Sequence, residues 1–149
     1  MKPRTAFTTL FVLVCLFCAL WGSTARAQSK ALLLFGGHDH KTFLGCLNCS
    51  DISATSVCND IGQFGSDIQL NSIWNSIGRF GSDISLTSPW NSLTQDAPII
   101  VDPDGNSYGY FSVNTLHHDR TRIPWLVEVL DYYEETNDLE KTREKMCGS

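Results

Sequence analysis

Apolar and polar positions in the middle of the chain recur every sixteen residues. Residues 56–71 read SVCNDIGQFGSDIQLN, residues 72–87 read SIWNSIGRFGSDISLT, and a third copy opens at Ser88 as SPWNSL. Ten of the sixteen positions are identical between the two full copies, which marks a repeated supersecondary unit rather than a catalytic signature. A unit this short cannot bury its own apolar side, so near-copies are expected to stack and share a core. Ser72 and Ser88 suit N-caps and Gly78 suits a stop with positive φ, so residues 72–78 are predicted to form a short helical turn. Turn and extended chain should follow, held by Ser66, Asp67, Ser82 and Asp83 through local side-chain bonds to backbone N–H groups. Ile61, Phe64, Ile68 and Leu70 match Ile77, Phe80, Ile84 and Leu86, which predicts apolar ladders turned inward. The predicted repeat core is Trp74, Trp90, Phe64, Phe80, Ile61 and Ile77. Residues 48–53 (NCSDIS) echo the GSDIS part of the unit and predict a degenerate leading copy from about His40.

The flanks carry other periods. Residues 28–35 end in an Ala-Leu-Leu-Leu-Phe run that predicts a buried edge strand. Ile99-Ile100-Val101, the turn-rich Asp102-Pro103-Asp104-Gly105-Asn106 and the alternating 107–114 segment predict a β-hairpin. The Asp102/Asp104/Asn106 spacing faintly resembles a calcium loop but has Ser107 where the sixth-position glycine belongs and Val113 where the glutamate belongs. Pro124 at a first helical turn, with Ile123, Leu126, Val127, Leu130 and Tyr133 on one face, predicts an amphipathic helix. The fold class expected is α+β: short stacked 16-residue repeats with a β-hairpin and a C-terminal amphipathic helix. Residues 28–135 are expected to form one domain, and 136–149 a polar C-terminal tail or short helix.

Lys2 and Arg4, the apolar stretch 7–20 and Ala25-Arg26-Ala27 together read as a signal peptide over residues 1–27. That predicts a secreted or periplasmic product with no membrane attachment after cleavage. It also shifts the charge: the whole chain is −5, and the segment removes three basic and no acidic residues, which leaves −8. Arg79 is the only cation between residues 42 and 119, so no basic stripe exists for phosphates and nucleic-acid binding is not expected.

Four cysteines follow the predicted cleavage: Cys46, Cys49, Cys58 and Cys147. In an oxidising compartment they are disulfide candidates with three possible pairings. Cys58 stands where the other copies have Trp74 and Trp90, so a bond from Cys58 to Cys46 or Cys49 would offset the missing indole. The Cys46-x-x-Cys49 spacing also admits half of a zinc site, completed by Cys58 and by His38 or His40. A redox dithiol lacks its βαβ setting here.

The case for an enzyme rests on two clusters, His38-Asp39-His40 and His117-His118-Asp119. If the fold joined them, they would offer imidazole and carboxylate ligands for a zinc-type, metal-dependent hydrolase, with one member free as general base. No HExxH or G-x-S-x-G motif accompanies them. Asp51, Asp67 and Asp83 recur at the repeat interval and could line up for calcium, and Trp74 and Trp90 with Tyr108 and Tyr110 could face a glycan. No cofactor is predicted; zinc and calcium are the cations these patterns would suit.

The string LGCLNCS, the S-[IV]-[WC]-N-x-I-G-x-F-G-S copies, the SPWN end and the PIIVD-x-DG-x-x-YGYF-x-VN segment resemble a group of small exported bacterial proteins of unassigned function. The resemblance spans residues 44–114 and implies that Cys46, Cys49, Trp74, Asn75, Trp90 and Asn91 are signature positions. It brings no mechanism with it. The expected function is a non-catalytic exported binding or structural module with a protein or glycan ligand. The hydrolase and the calcium- or glycan-binding repeat module are the alternatives.

Overall fold

The computed structural model describes residues 29–148, so the predicted signal peptide lies outside the described residues. Four short strands form one antiparallel sheet: β1 (Leu33–Gly36), β2 (Thr42–Cys46), β3 (Ile99–Val101) and β4 (Ser107–Tyr110). Their spatial order is β2-β1-β3-β4, which corrects the expected edge position of the first strand. β1 is central because Leu34 is fully buried and both neighbours are apolar there, Ile100 opposite on β3 and Gly45 on β2. β2 itself occupies residues expected to open a degenerate repeat copy; the turns begin only at Ser50, which accepts from the Ser53 N–H at 2.9 Å. The β1–β2 connection turns at Gly37 and at His40, a non-glycine residue with φ of 51°, where the His40 N–H donates to the Gly37 carbonyl.

The predicted β3–β4 hairpin is present, and Asp102 organises its turn. Its carboxylate accepts from the backbone N–H groups of Asp104 and Asn106 (3.0 and 2.9 Å), from the Asn106 side-chain amide (2.8 Å), from the Tyr108 hydroxyl (3.1 Å) and from Lys30 (3.2 Å). The Asn106 amide foremost, helped by the other donors, holds the Asp102 carboxyl well below the usual carboxylate range. Tyr108 is pushed the other way, upward, chiefly by its bond to that carboxylate.

Between β2 and β3 the backbone runs through consecutive turns. Closing N–H groups donate to carbonyls of Ser56, Asn59, Gly62, Ser66 and Gln69, and then to the matching Ser72, Asn75, Gly78, Ser82 and Ser85. Four steps of each set span three residues and the one from glycine spans four, which is how sixteen residues are used up. Ser72 therefore starts a turn, not a helix, and its Oγ accepts from the Trp74 N–H at 3.1 Å, as Ser88 does from Trp90 at 3.2 Å. Gly78 has no positive φ; glycine is required because a Cβ would lie 2.9 Å from the Asn75 side chain. Gly65 and Gly81 are tighter still, since a Cβ on either would meet the carbonyl oxygen of Asn59 or Asn75 at 2.2 Å.

The turn segment is tied to the sheet at both ends. Near its start the Val57 N–H donates to the Cys46 carbonyl on β2 (3.1 Å); near its end Pro89 accepts from Val113 (2.8 Å), just after β4.

Two helices complete the α+β architecture, α1 (Pro124–Thr136) and α2 (Leu139–Cys147). α1 buries Leu126, Val129, Leu130 and Tyr133, so Val129 takes the inward place expected for Val127. Asn137, with φ of 49°, closes α1, and Asp138 caps α2 by accepting from the Lys141 N–H at 3.0 Å. Of the two readings for residues 136–149, polar tail or short helix, the second describes Leu139–Cys147. Trp90 sits at the centre of the core, 5.5 Å from Trp74, 5.5 Å from Phe111 and 4.9 Å from Tyr133, measured between rings.

Two disulfides, Cys46–Cys49 and Cys58–Cys147, use all four cysteines of the described residues. The expected bond from Cys58 to Cys46 or Cys49 is corrected. Those two cysteines are three residues apart at the end of β2 and close on each other, which leaves Cys58 to the end of α2, 89 residues away. No helix among the described residues is long and apolar enough to cross a membrane.

Candidate functional site

The sixteen-residue copies separate side chains into an inner and an outer set. Trp74 and Trp90 are 3 and 2% exposed, and each indole N–H donates to a backbone carbonyl seventeen residues earlier, Trp74 to Val57 (2.7 Å) and Trp90 to Ile73 (2.6 Å). Tryptophan suits this place because it fills volume and satisfies a buried carbonyl of the preceding copy with one side chain. Asn75 explains the neighbouring signature position: its amide donates to the Gln69 carbonyl (3.2 Å), and its Oδ1 accepts from the Ile77 N–H (3.2 Å). Phe64 and Phe80 are also buried, Phe64 edge-on to Phe43 at 4.9 Å.

The aliphatic ladders are turned the other way. Ile61 and Ile77, expected in the core, are 94 and 93% exposed, and Ile68, Ile84, Leu70 and Leu86 are exposed as well. The reason lies in the turn geometry. The N–H groups of Ile77, Leu93 and Leu116 donate to the Oδ1 of the asparagine two residues before, at 3.2, 2.8 and 3.0 Å, and these side chains project into solvent. Eight exposed aliphatic residues share repeat positions, recurring at sixteen residues: Ile61, Ile77 and Leu93; Ile52, Ile68 and Ile84; and Leu70 and Leu86; a ninth, Leu116, lies outside the copies but likewise follows an asparagine by two. Sequence reasoning missed Ile52, Leu93 and Leu116 altogether. The sixteen-residue interval contained the signal for Ile52 and Leu93, but it does not say which way a position faces.

Asp51, Asp67 and Asp83 are exposed and immediately precede Ile52, Ile68 and Ile84. Asp51 accepts from its neighbours, the Ser50 hydroxyl at 3.1 Å and the Ile52 N–H at 2.9 Å. Among the described residues no group of three or more His, Cys, Asp or Glu side chains is placed to hold a metal ion.

The histidine clusters are brought near one another through Tyr110. His40 lies 5.5 Å from the Tyr110 ring and His117 4.4 Å from it, with His118 stacked on His117 at 5.0 Å. Three of the histidines pair one ring nitrogen within the fold: His38 with Asp96 (2.7 Å), His40 Nε2 with the Ala97 carbonyl (3.0 Å), and His118 with Asp119 (3.0 Å). His117 is 7% exposed, its Nε2 3.4 Å from the Gln95 carbonyl and its Nδ1 buried without a partner. The zinc set is corrected outright, because Cys46, Cys49 and Cys58 are in disulfides and offer no thiolate.

The glycan reading also moves. The tryptophans are inside, whereas Tyr108 and Tyr110 are half-buried along an open groove of about 760 Å³ at the outer side of β4. Asp119, Arg120 and Arg122 line its other side. Gly109, with φ of 84°, shapes it: a Cβ there would sit 2.5 Å from the Asp119 carbonyl that the Tyr110 N–H uses. Arg120 is engaged by the Ser112 carbonyl (2.8 Å) and Asp131 (2.7 Å).

No family model matches the chain, and neither the curated proteins nor the solved structures contain a match to it.

Proposed function

We propose that this is an exported, non-catalytic binding module of the small bacterial group it resembles, engaging a protein partner through exposed aliphatic side chains of its turn segment. On this reading the copies stack as sixteen-residue units, so equivalent residues of successive units stand in rows. The stacked pair Trp74–Trp90 and the indole bonds from one copy to the one before support that arrangement. The observation that carries the function is the exposure of eight aliphatic residues, 59 to 94%, at repeat positions. Scattered exposed leucines are ordinary, but contiguous apolar surface on a small domain marks an interaction site. Identity between the copies points the same way. At exposed or half-exposed places three polar pairs differ, Asp60/Ser76, Gln63/Arg79 and Gln69/Ser85, while Ile61/Ile77, Ile68/Ile84 and Leu70/Leu86 do not, nor does the exposed Asp67/Asp83. The serines, asparagines and glycines that are kept have internal bonds or close contacts to explain them; these aliphatic side chains have none. Two disulfides fit a secreted or periplasmic home.

The test is co-sedimentation of the purified protein with envelope fractions of its host. The wild type should sediment, and a variant with Ile68, Leu70, Ile84 and Leu86 all changed to Ser should lose at least about tenfold in bound fraction with an unchanged circular dichroism spectrum. A wild type that stays in the supernatant, or a variant bound equally well, overturns the reading. A saccharide in the Tyr108/Tyr110 groove is the second reading, favoured by two tyrosines beside Arg122 in an open cleft. Titration with oligosaccharides, comparing wild type with Arg122→Ala, checks it.

A further inference from the structure

The geometry points to a second copy of this chain as the occupant of one particular row: Ile61, Ile77, Leu93 and Leu116. The inference rests on the reading just given, that the exposed aliphatic rows are interaction surfaces, and it separates the rows by their charge. Ile52, Ile68 and Ile84 each follow an exposed aspartate, Asp51, Asp67 and Asp83. Two copies meeting there about a twofold axis would bring like charges together, which opposes association. The other row is free of this. The uncharged Ser76, Ser92 and Thr115 precede Ile77, Leu93 and Leu116, and Asp60, which precedes Ile61, is neutralised by Arg143 at 2.7 Å.

Shape favours the same pairing. Trp74 and Trp90 are stacked, so the residues that follow them in equivalent turns are neighbours as well, and Leu116 continues the series because the Asn114 amide bonds to the Thr94 carbonyl at 2.9 Å. A ridge with one aliphatic side chain per unit fits between the side chains of an identical ridge running the opposite way, setting Ile77 against Leu93 of the second copy. The row is also preorganised. The backbone N–H groups of Ile77, Leu93 and Leu116 are already fixed to asparagine oxygens, so little ordering is needed on contact.

Area sets the strength. An aliphatic side chain contributes roughly 60–120 Å² of burial, so four give roughly 240–480 Å² per copy. A standard stable interface buries about 800 Å² per partner. The dimer is accordingly weak, with a dissociation constant on the order of 10⁻⁴ M, and matters where export concentrates the protein at a surface.

Sedimentation velocity on the purified, disulfide-bonded protein across a concentration series up to about 1 mM tests this. The expected result is a monomer–dimer equilibrium that tightens with added salt, because screening relieves the repulsion between two acidic chains. Ile77→Ser with Leu93→Ser should weaken it at least about tenfold, whereas Ile68→Ser with Ile84→Ser should leave it within about twofold. A single Ser92→Cys substitution, beside Leu93, should give an intermolecular cross-link under oxidation, and Asp83→Cys should not. A protein that is monomeric throughout the series, or the two double variants weakening association equally, overturns the second-copy inference. Neither result touches the envelope-binding reading, which is measured separately with variants of Ile68, Leu70, Ile84 and Leu86.

Discussion

The sheet and the turn segment of this protein solve the same problem with different bonds. In the sheet, backbone groups of β1 to β4 pair with one another, and strand alternation sends Leu34, Leu44 and Ile100 inward. In the turn segment, each closing bond is local, and side chains from Ser72, Asn75 and Trp74 supply the links that a strand ladder would otherwise make. The lesson is that the sheet places apolar residues inside by parity, whereas the turns hold Val57, Ile73 and the aromatic positions inside and leave the aliphatic residues at the other repeat positions out. Stability in the turn half should therefore hang on individual residues that would matter little elsewhere.

The largest effect should come from cutting the link between the turn segment and α2. Replacing Cys58 and Cys147 with Ser removes a cross-link closing 89 residues, and a loss of about 4 kcal/mol in urea unfolding is expected. Next is Gly81→Ala, whose methyl would meet the Asn75 carbonyl oxygen at 2.2 Å; a loss on the order of 3 kcal/mol should follow. Gly105→Ala in the hairpin meets nothing within 4 Å and has only its φ of 85° to oppose it, so about 1 kcal/mol is expected there. Equal losses at the two glycines would erase the contrast drawn here. Trp90→Phe keeps most of the ring but strands the Ile73 carbonyl, and about 2 kcal/mol is the expected cost.

On the sheet side, Asp102→Asn sharpens the comparison through pH. The carboxyl of Asp102 is held below its ordinary value in the folded protein, so it adds stability above the unfolded value near ~3.9 and loses it as pH falls toward the folded value. The difference in thermal midpoint between wild type and Asp102→Asn should be constant near neutrality and shrink as the pH drops below about 4. A gap that widens on acidification would contradict the role given to Asp102. The smallest effect should be Ile68→Ser on the outer face of the turns, within about 0.5 kcal/mol in unfolding, since nothing in the fold contacts that exposed side chain closely enough to bury it.

Much of the fold was legible because local chemistry dictates it. Pro103, Asp104, Gly105 and Asn106 between two β-branched and aromatic runs can only be a tight connection, and Pro124 followed by spaced apolar residues reads as a helix start. The inward place of tryptophan was legible from its recurrence. The outward place of Ile61 and Ile77 was not, because consecutive turns have neither the period of a strand nor that of a helix, so hydrophobicity alone points such residues inward. The candidate surface was misread for that one reason.

What the sequence determined by itself is the sixteen-residue interval, the position of the hairpin and the acidic character of the chain. These follow from residue types acting on their own neighbours within a few positions. What only the tertiary structure decided is which side of each turn meets the core, that Cys58 reaches α2, that the histidine loops converge on Tyr110, and that the tryptophans bond the preceding copy. Those depend on distances between segments far apart in the chain, which local propensity does not encode and burial of a shared core does.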